Sequence, residues 1–249
     1  MRASLFAALL LLLSLAGLPA RAQAVQCRAL DFHDKRYTVC EVDLAQEKLR
    51  PFLRDSEGNP FKGFDALKRS LAGQGEQLLF AMNAGMYHPD YSPVGLFVAD
   101  GKEISPLSTA SGEGNFFLKP NGVFFVTQSG AGILETSRYA QRHEPVLLAT
   151  QSGPMLLEHG EIHPRFIPAS DSLRVRNGVG LRSPSRAVFA ISDSSVNFYE
   201  FAGLFRDALG CKEALYFDGS ISSLYSAQLQ RNDNLKPLGP IIGVTRPMR

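Results

Sequence analysis

Short β-forming runs punctuated by turn residues recur along this chain, and only two stretches carry helical spacing. The runs occupy residues 78–82, 93–98, 123–127, 147–149, 155–158, 187–191, 214–217 and 241–244. They are built mainly of aliphatic and aromatic residues, which suit extended, buried backbone. Residues 25–44 alternate as a hairpin with its turn near His33-Asp34-Lys35. Asp100-Gly101 and His159-Gly160 mark further reversals, and Lys119-Pro120-Asn121-Gly122 reads as a hairpin joining 115–118 to 123–127. A helix is predicted over 60–72, with Pro60 in its first turn, a stripe of Phe61, Phe64, Leu67 and Leu71, and Gly73 at its end. A second runs over 198–209, capped by Asn197 with Glu200 and buried through Phe201, Ala202 and Phe205. Residues 45–59 and 164–185 read as loops. The two helices do not alternate with the strands, which disfavours a doubly wound α/β sheet. The pattern predicts an α+β fold: a single domain over residues 25–249, with a large mixed or antiparallel sheet and few helices.

The first 24 residues stand apart. Arg2 is followed by an apolar run over 5–18, then Pro19 and small residues at Ala20, Ala22 and Ala24. That order is expected of a secretory signal peptide cleaved after Ala22 or Ala24. The run is shorter than the roughly 18–20 residues that span a bilayer, so stable membrane insertion after cleavage is not expected. The expected location is periplasmic or secreted. Removing this segment leaves 24 basic against 24 acidic residues, with no basic block. Nucleic-acid binding is therefore disfavoured. Nothing in the sequence fixes an oligomeric state.

Cys27 and Cys40 lie symmetrically about the first turn, so the two can face each other, and export would permit a disulfide. Cys211 is then a free thiol, expected to be buried. No close-spaced cysteine pair offers a metal site. His159 and His163 are four apart, but Gly160 and Pro164 make that spacing a turn and not a helix face. No metal and no cofactor is expected.

One local design recurs: a buried strand ending in a polar residue with glycine beside it. Asn83-Ala84-Gly85 and Asp218-Gly219 have it, Asn121-Gly122 joins two strands, Ser152-Gly153 precedes one, and Arg176-Asn177-Gly178 adds an arginine to the same palette. Ser220, Ser222 and Ser223 follow Asp218 directly. Taken alone, each is a common way to turn a chain. Together they supply an acid, amides, hydroxyls and a guanidinium, suited to sugar hydroxyls and to phosphate. A serine hydrolase lacks its usual signals here, with neither a G-x-S-x-G elbow nor an S-x-x-K.

The ordered motifs N-A-G-M-Y, P-V-G-L-F-V-A-D-G-K, N-G-V-F, Q-S-G-P-M-L-L-E-H-G, R-N-G-V-G and L-Y-F-D-G-S-I-S-S resemble the phosphodiester glycosidase family over roughly residues 75–245. The resemblance implies hydrolysis of a sugar-1-phosphodiester to a sugar and a phosphomonoester. It implies catalytic roles for Asp218 and Arg176. Independently of it, Asp193 and Glu158 are the alternative carboxylates. Asn83, Gly85, Asn121, Ser152, Gly153, Asn177, Gly219, Ser222 and Ser223 are the expected substrate-binding residues. Ala84 and Ser220 stand where the family has glycine, so the pocket is expected to differ in shape. The expected partner is a carbohydrate or sugar-phosphate substrate. Two rival readings are a non-catalytic module binding envelope polysaccharide, and a serine or metal hydrolase using the same pocket.

Overall fold

The computed structural model describes residues 25–248, and the expected signal peptide at 1–24 lies outside them. The chain opens on a hairpin of β1 (Val25–Phe32) and β2 (Lys35–Asp43), with His33 and Asp34 both at positive φ in the turn. Register sets Cys27 opposite Cys40, and a disulfide joins them. The cross-link has a sequence separation of 13. Replacing both cysteines by serine is expected to remove about 3 kcal/mol of stability, the loop-entropy figure for a ring of about that size. A urea midpoint lowered at unchanged slope would show it, and an unchanged midpoint would count against it.

The remaining elements follow in order. They are β3 (Leu49–Phe52), α1 (Phe64–Gly73), β4 (Glu76–Asn83), β5 (Phe97–Ala99) and β6 (Lys102–Ser105). A 3₁₀ turn at Asn115–Phe117 leads to β7 (Gly122–Val126), β8 (Ala131–Glu135), α2 (Thr136–Tyr139), β9 (Leu148–Ser152), β10 (Met155–Glu158) and β11 (Glu161–Ile162). Then come β12 (Asn177–Ser183), β13 (Arg186–Ser192) and α3 (Phe198–Gly203), which continues as a π-helical stretch over Leu204–Ala208. β14 (Glu213–Asp218), β15 (Leu224–Ser226), β16 (Arg231–Asn232) and β17 (Ile241–Pro247) close the chain.

These strands form three sheets, one of them large, and with few helices beside them they make the expected α+β fold. The largest has the order β1-β2-β13-β12-β14-β10-β11, the second β16-β15-β4-β17-β3, and the third β6-β5-β9-β7-β8. All pairings among the described strands are antiparallel. Side chains from all three meet in one core, including Phe80 and Met82 of β4, Phe124 of β7, Phe189 of β13, and Leu215 and Phe217 of β14. Alternation along β14 turns Ala214 and Tyr216 the other way, against Phe201 and Phe205. α1 buries Phe64, Leu67 and Leu71 on the second sheet.

Several local expectations change. Residues 45–59 contain β3, whose Leu49 and Phe52 are buried while Arg50 and Pro51 break the alternation; proline is tolerated because β3 is an edge strand. α1 begins at Phe64 and not at Pro60, because Lys62 takes positive φ and pairs with Leu238. Residues 115–117 form a 3₁₀ turn, and the hairpin partner of β7 is β8. The expected loop at 164–185 contains β12, a central strand. Its loop-like glycines are a packing device: a Cβ on Gly180 would lie 2.6 Å from the Phe205 ring and 2.8 Å from Cys211 Sγ. The strand is bare so that the helix can lie directly on it. Cys211 is free and buried, and burial pushes its thiol pKa up to about 12.

Candidate active site

Three strand ends from two sheets converge. β14 ends at Asp218, β12 begins beside it at Asn177, and β4 of the second sheet ends at Asn83. The buried Asn177 side chain joins them. Its Nδ2 donates to both Asn83 O and Asn83 Oδ1 at 2.9 Å, and its Oδ1 accepts from the Asp218 amide at 3.1 Å. Asn83 Oδ1 also accepts from the Ser223 amide at 2.8 Å. Two donors on one oxygen fix the Asn83 amide orientation, and its Nδ2 has no protein partner among the described residues. Ser222 Oγ lies 2.8 Å from Asp218 O and 3.0 Å from Val175 O, and Ser223 Oγ donates to Ile221 O. These hydroxyls stitch the turn together.

The Asp218 carboxylate crowns that network. It is 7% exposed, and its Oδ1 accepts from the Ser220 and Ile221 amides at 2.6 and 3.2 Å. Both bonds fall on Oδ1, which leaves Oδ2 the oxygen available to a ligand. Burial holds the Asp218 pKa above the ordinary carboxylate value, outweighing the backbone amides and the charge of Lys236 that pull it down.

Asp218 opens into a cavity of about 350 Å³ lined by Met86, Tyr87, Asn115, Tyr216, Gly219, Ser220 and Ile221. Asp218 is the single carboxylate in that lining. Tyr216 lies two residues before Asp218 on β14, across a register shift against β12, and both line the cavity. Its hydroxyl accepts from Arg176 Nη1 at 3.3 Å. Arg176 is 1% exposed and meets no carboxylate. Its Nε donates to Val196 O at 2.9 Å, its Nη2 to Ser172 O at 2.7 Å, and its guanidinium lies 3.7 Å from the Phe198 ring centroid. Burial lowers its pKa, opposed by Tyr216. Burial also raises the pKa of Tyr216, opposed by Arg176, and that of Tyr87, reinforced by Asp218.

The expected site residues therefore fall into three groups. Asp218 and Gly219 line the cavity. Asn83, Asn177, Ser222 and Ser223 form the network beneath, with Arg176 behind Tyr216. Asn121, Ser152 and Gly153 lie further back: Ser152 Oγ donates to Phe217 O, and Asn121 Nδ2 donates to Phe116 O. A Cβ on Gly153 would meet Phe116 O at 2.7 Å, so both support the turn that presents Asn115. Gly85 takes φ +129 and redirects the chain toward Met86 and Tyr87. Gly219 does not have positive φ; glycine is required because a Cβ would lie 2.2 Å from the Tyr216 hydroxyl. The alternative carboxylates are engaged elsewhere, Asp193 with Arg231 and Glu158 with Arg138. His163 Nε2 donates to Lys119 O, and among the described residues no cluster of three or more His, Cys, Asp or Glu suits a metal. Sequence reasoning missed Tyr216, Asn115, Tyr87 and Met86 as pocket residues. The spacing of Tyr216 from Asp218 was a usable signal; Asn115 carried none.

The sequence model of the phosphodiester glycosidase family matches residues 76–245, and the chain belongs to that family. The uncharacterized protein YigE of Escherichia coli (strain K12) is 37% identical over 213 residues, covering 86% of this chain and 83% of YigE. Among solved structures, the fold is similar to the catalytic domain of zebrafish N-acetylglucosamine-1-phosphodiester alpha-N-acetylglucosaminidase, auto-inhibited by its pro-peptide. The TM-score is 0.62 at 13% identity, over 88% of this chain and 81% of that one. A protein of Burkholderia pseudomallei K96243 is similar at TM-score 0.51 and 11% identity, over 84% and 74% of the two chains. Family membership supports a glycosidase-type function.

Proposed function

We propose that this protein hydrolyses the glycosidic bond of a sugar-1-phosphodiester, releasing a sugar and a phosphomonoester. The observation that carries the reading is the lone carboxylate of the pocket. Hydrolysis of an ordinary glycoside commonly uses two carboxyl groups, because the departing alcohol must be protonated. A departing phosphate ester is already a stable anion and needs no strong acid. One carboxylate at the anomeric carbon then suffices, with Asp218 Oδ2 facing the positive charge that develops there. The Tyr216 hydroxyl, polarised by Arg176, offers a hydrogen bond to the leaving oxygen. The same bond type is named for the zebrafish enzyme. The signal-like residues 1–24 and the Cys27–Cys40 disulfide support an exported protein, periplasmic or secreted, acting on envelope or extracellular glycans.

The direct test assays the wild-type protein against sugar-1-phosphodiesters, teichoic-acid-like polymers and aryl glycosides. Release of phosphomonoester is expected with the first group. Turnover of aryl glycosides alone would indicate an ordinary glycosidase, and binding without turnover would indicate a glycan-binding module. Gly219→Ala offers a second check. Its Cβ cannot coexist with the Tyr216 hydroxyl where it stands. A displacement near 1 Å at such a position lowers kcat/KM by up to about hundredfold. Unchanged turnover would remove Tyr216 from the mechanism.

A further inference from the structure

We infer that Arg174 and Lys236 grip the phosphate of the substrate at the mouth of the Asp218 pocket. This rests on the phosphodiester reading and deepens it by assigning where the anion sits. Arg176 is buried behind Tyr216, so it does not itself present a free fork to a ligand. A pocket whose one charged wall is a carboxylate repels an anionic substrate unless cations stand close by. Two do, each carried on a different segment.

Arg174 is exposed, and its Cβ lies 3.4 Å from where a Gly219 side chain would begin. Its backbone is pinned by a two-way bridge to Val196, at 3.1 and 2.8 Å. Arg176 reinforces the same platform by donating to Val196 O and Ser172 O on either side. The Arg174 side chain makes one hydrogen bond, from Nη1 to Leu173 O, and no salt bridge within the described residues. Its charge is felt at Arg176. Lys236 is exposed and also forms no salt bridge there. It precedes Pro237, whose carbonyl accepts the hydroxyl of the pocket residue Tyr87 at 2.6 Å. Its charge is felt at Asp218. Two cations beside the pocket, neither engaged with an acid, suit a phosphate at the rim with the sugar deeper, against Met86, Tyr87 and Ile221.

The test uses Arg174→Gln, Lys236→Gln and the double variant. Methyl phosphate binding is measured first, by titration at low and at high salt, and turnover of a sugar-1-phosphodiester second. Each single change is expected to weaken methyl phosphate binding and raise KM roughly tenfold, the loss of one charge-assisted hydrogen bond. The expected change in kcat is less than about twofold, because the contact is made equally in ground and transition states. The double variant is expected to lose most of the salt dependence of binding. Equal methyl phosphate binding by the wild type and the double variant would overturn the inference. Binding that depends on both residues, in a protein that turns over no phosphodiester, would uphold this anion site and overturn the proposed reaction instead.

Discussion

Asp218→Asn is expected to lower turnover of a sugar-1-phosphodiester by about 10³-fold, the scale on which a positioned catalytic carboxyl acts. The same substitution is expected to stabilise the fold at neutral pH. Asn retains the oxygen that accepts from the Ser220 and Ile221 amides. It discards the charge whose burial raises the Asp218 pKa. A raised folded pKa means that the native state holds the proton more tightly than the unfolded chain. The contribution of Asp218 is therefore most favourable below the unfolded carboxylate pKa of about 3.9, and it is lost as pH rises through the folded value. Wild type and variant are expected to converge in acid and separate toward neutrality, by about 1.4 kcal/mol for each unit of the shift. The acid limb of kcat/KM should fall above the usual carboxylate range, since the ionised form is the active one. Unchanged turnover in a folded variant would eliminate the assignment, and parallel stability curves would show that Asp218 is not strained by burial.

Arg176→Met is expected to reduce kcat/KM by about hundredfold, the effect of losing one preorganised donor to developing charge, while the melting temperature moves little. Two opposing terms nearly cancel in stability. Removing the side chain takes one of two donors from Val196 O, which keeps the Arg174 amide, and the Arg176 donor from Ser172 O, at about 0.5–1.5 kcal/mol for each hydrogen bond lost. It also relieves the burial of a guanidinium that has no acidic partner, a penalty of several kcal/mol, and apolar replacements of buried charges are often neutral for that reason. Met fills much of the volume against Phe198 and Tyr216. What does not cancel is the polarisation of the Tyr216 hydroxyl. A large loss of stability with kcat preserved would recast Arg176 as a structural staple.

Most of the strands are legible in the sequence because burial imposes alternation or short apolar runs, as in β4, β13 and β14. The helix at Asn197 is legible because its cap and its stripe agree; the capping box is formed as expected. β12 was hidden because Gly178 and Gly180 are defined by what lies on them, Leu215 O and the Phe205 ring, neither of which is local. Around the pocket, Asp218 and Asn83 were visible as polar residues where apolar runs stop, and Asn177 as an amide beside glycine. Asn115 and Lys236 were not, because each arrives on an irregular segment whose path is set by contacts far along the chain. Gly219 was visible as a turn residue, but what requires glycine there is the Tyr216 hydroxyl, which leaves no room for a side chain.

β17 lies between β3 and β4, although it is the last strand in the chain. Ile241 pairs with Asn83, and Pro240 O accepts from the Ala84 amide at 2.9 Å. The other neighbour of β4 is β15, which also comes late. During synthesis, then, Asn83 waits for partners that leave the ribosome some 140 residues behind it. Contacts of such sequence separation form slowly and late. A nascent or truncated chain thus contains Asp218 before the β4 end that carries Asn83 has its strand partners in place.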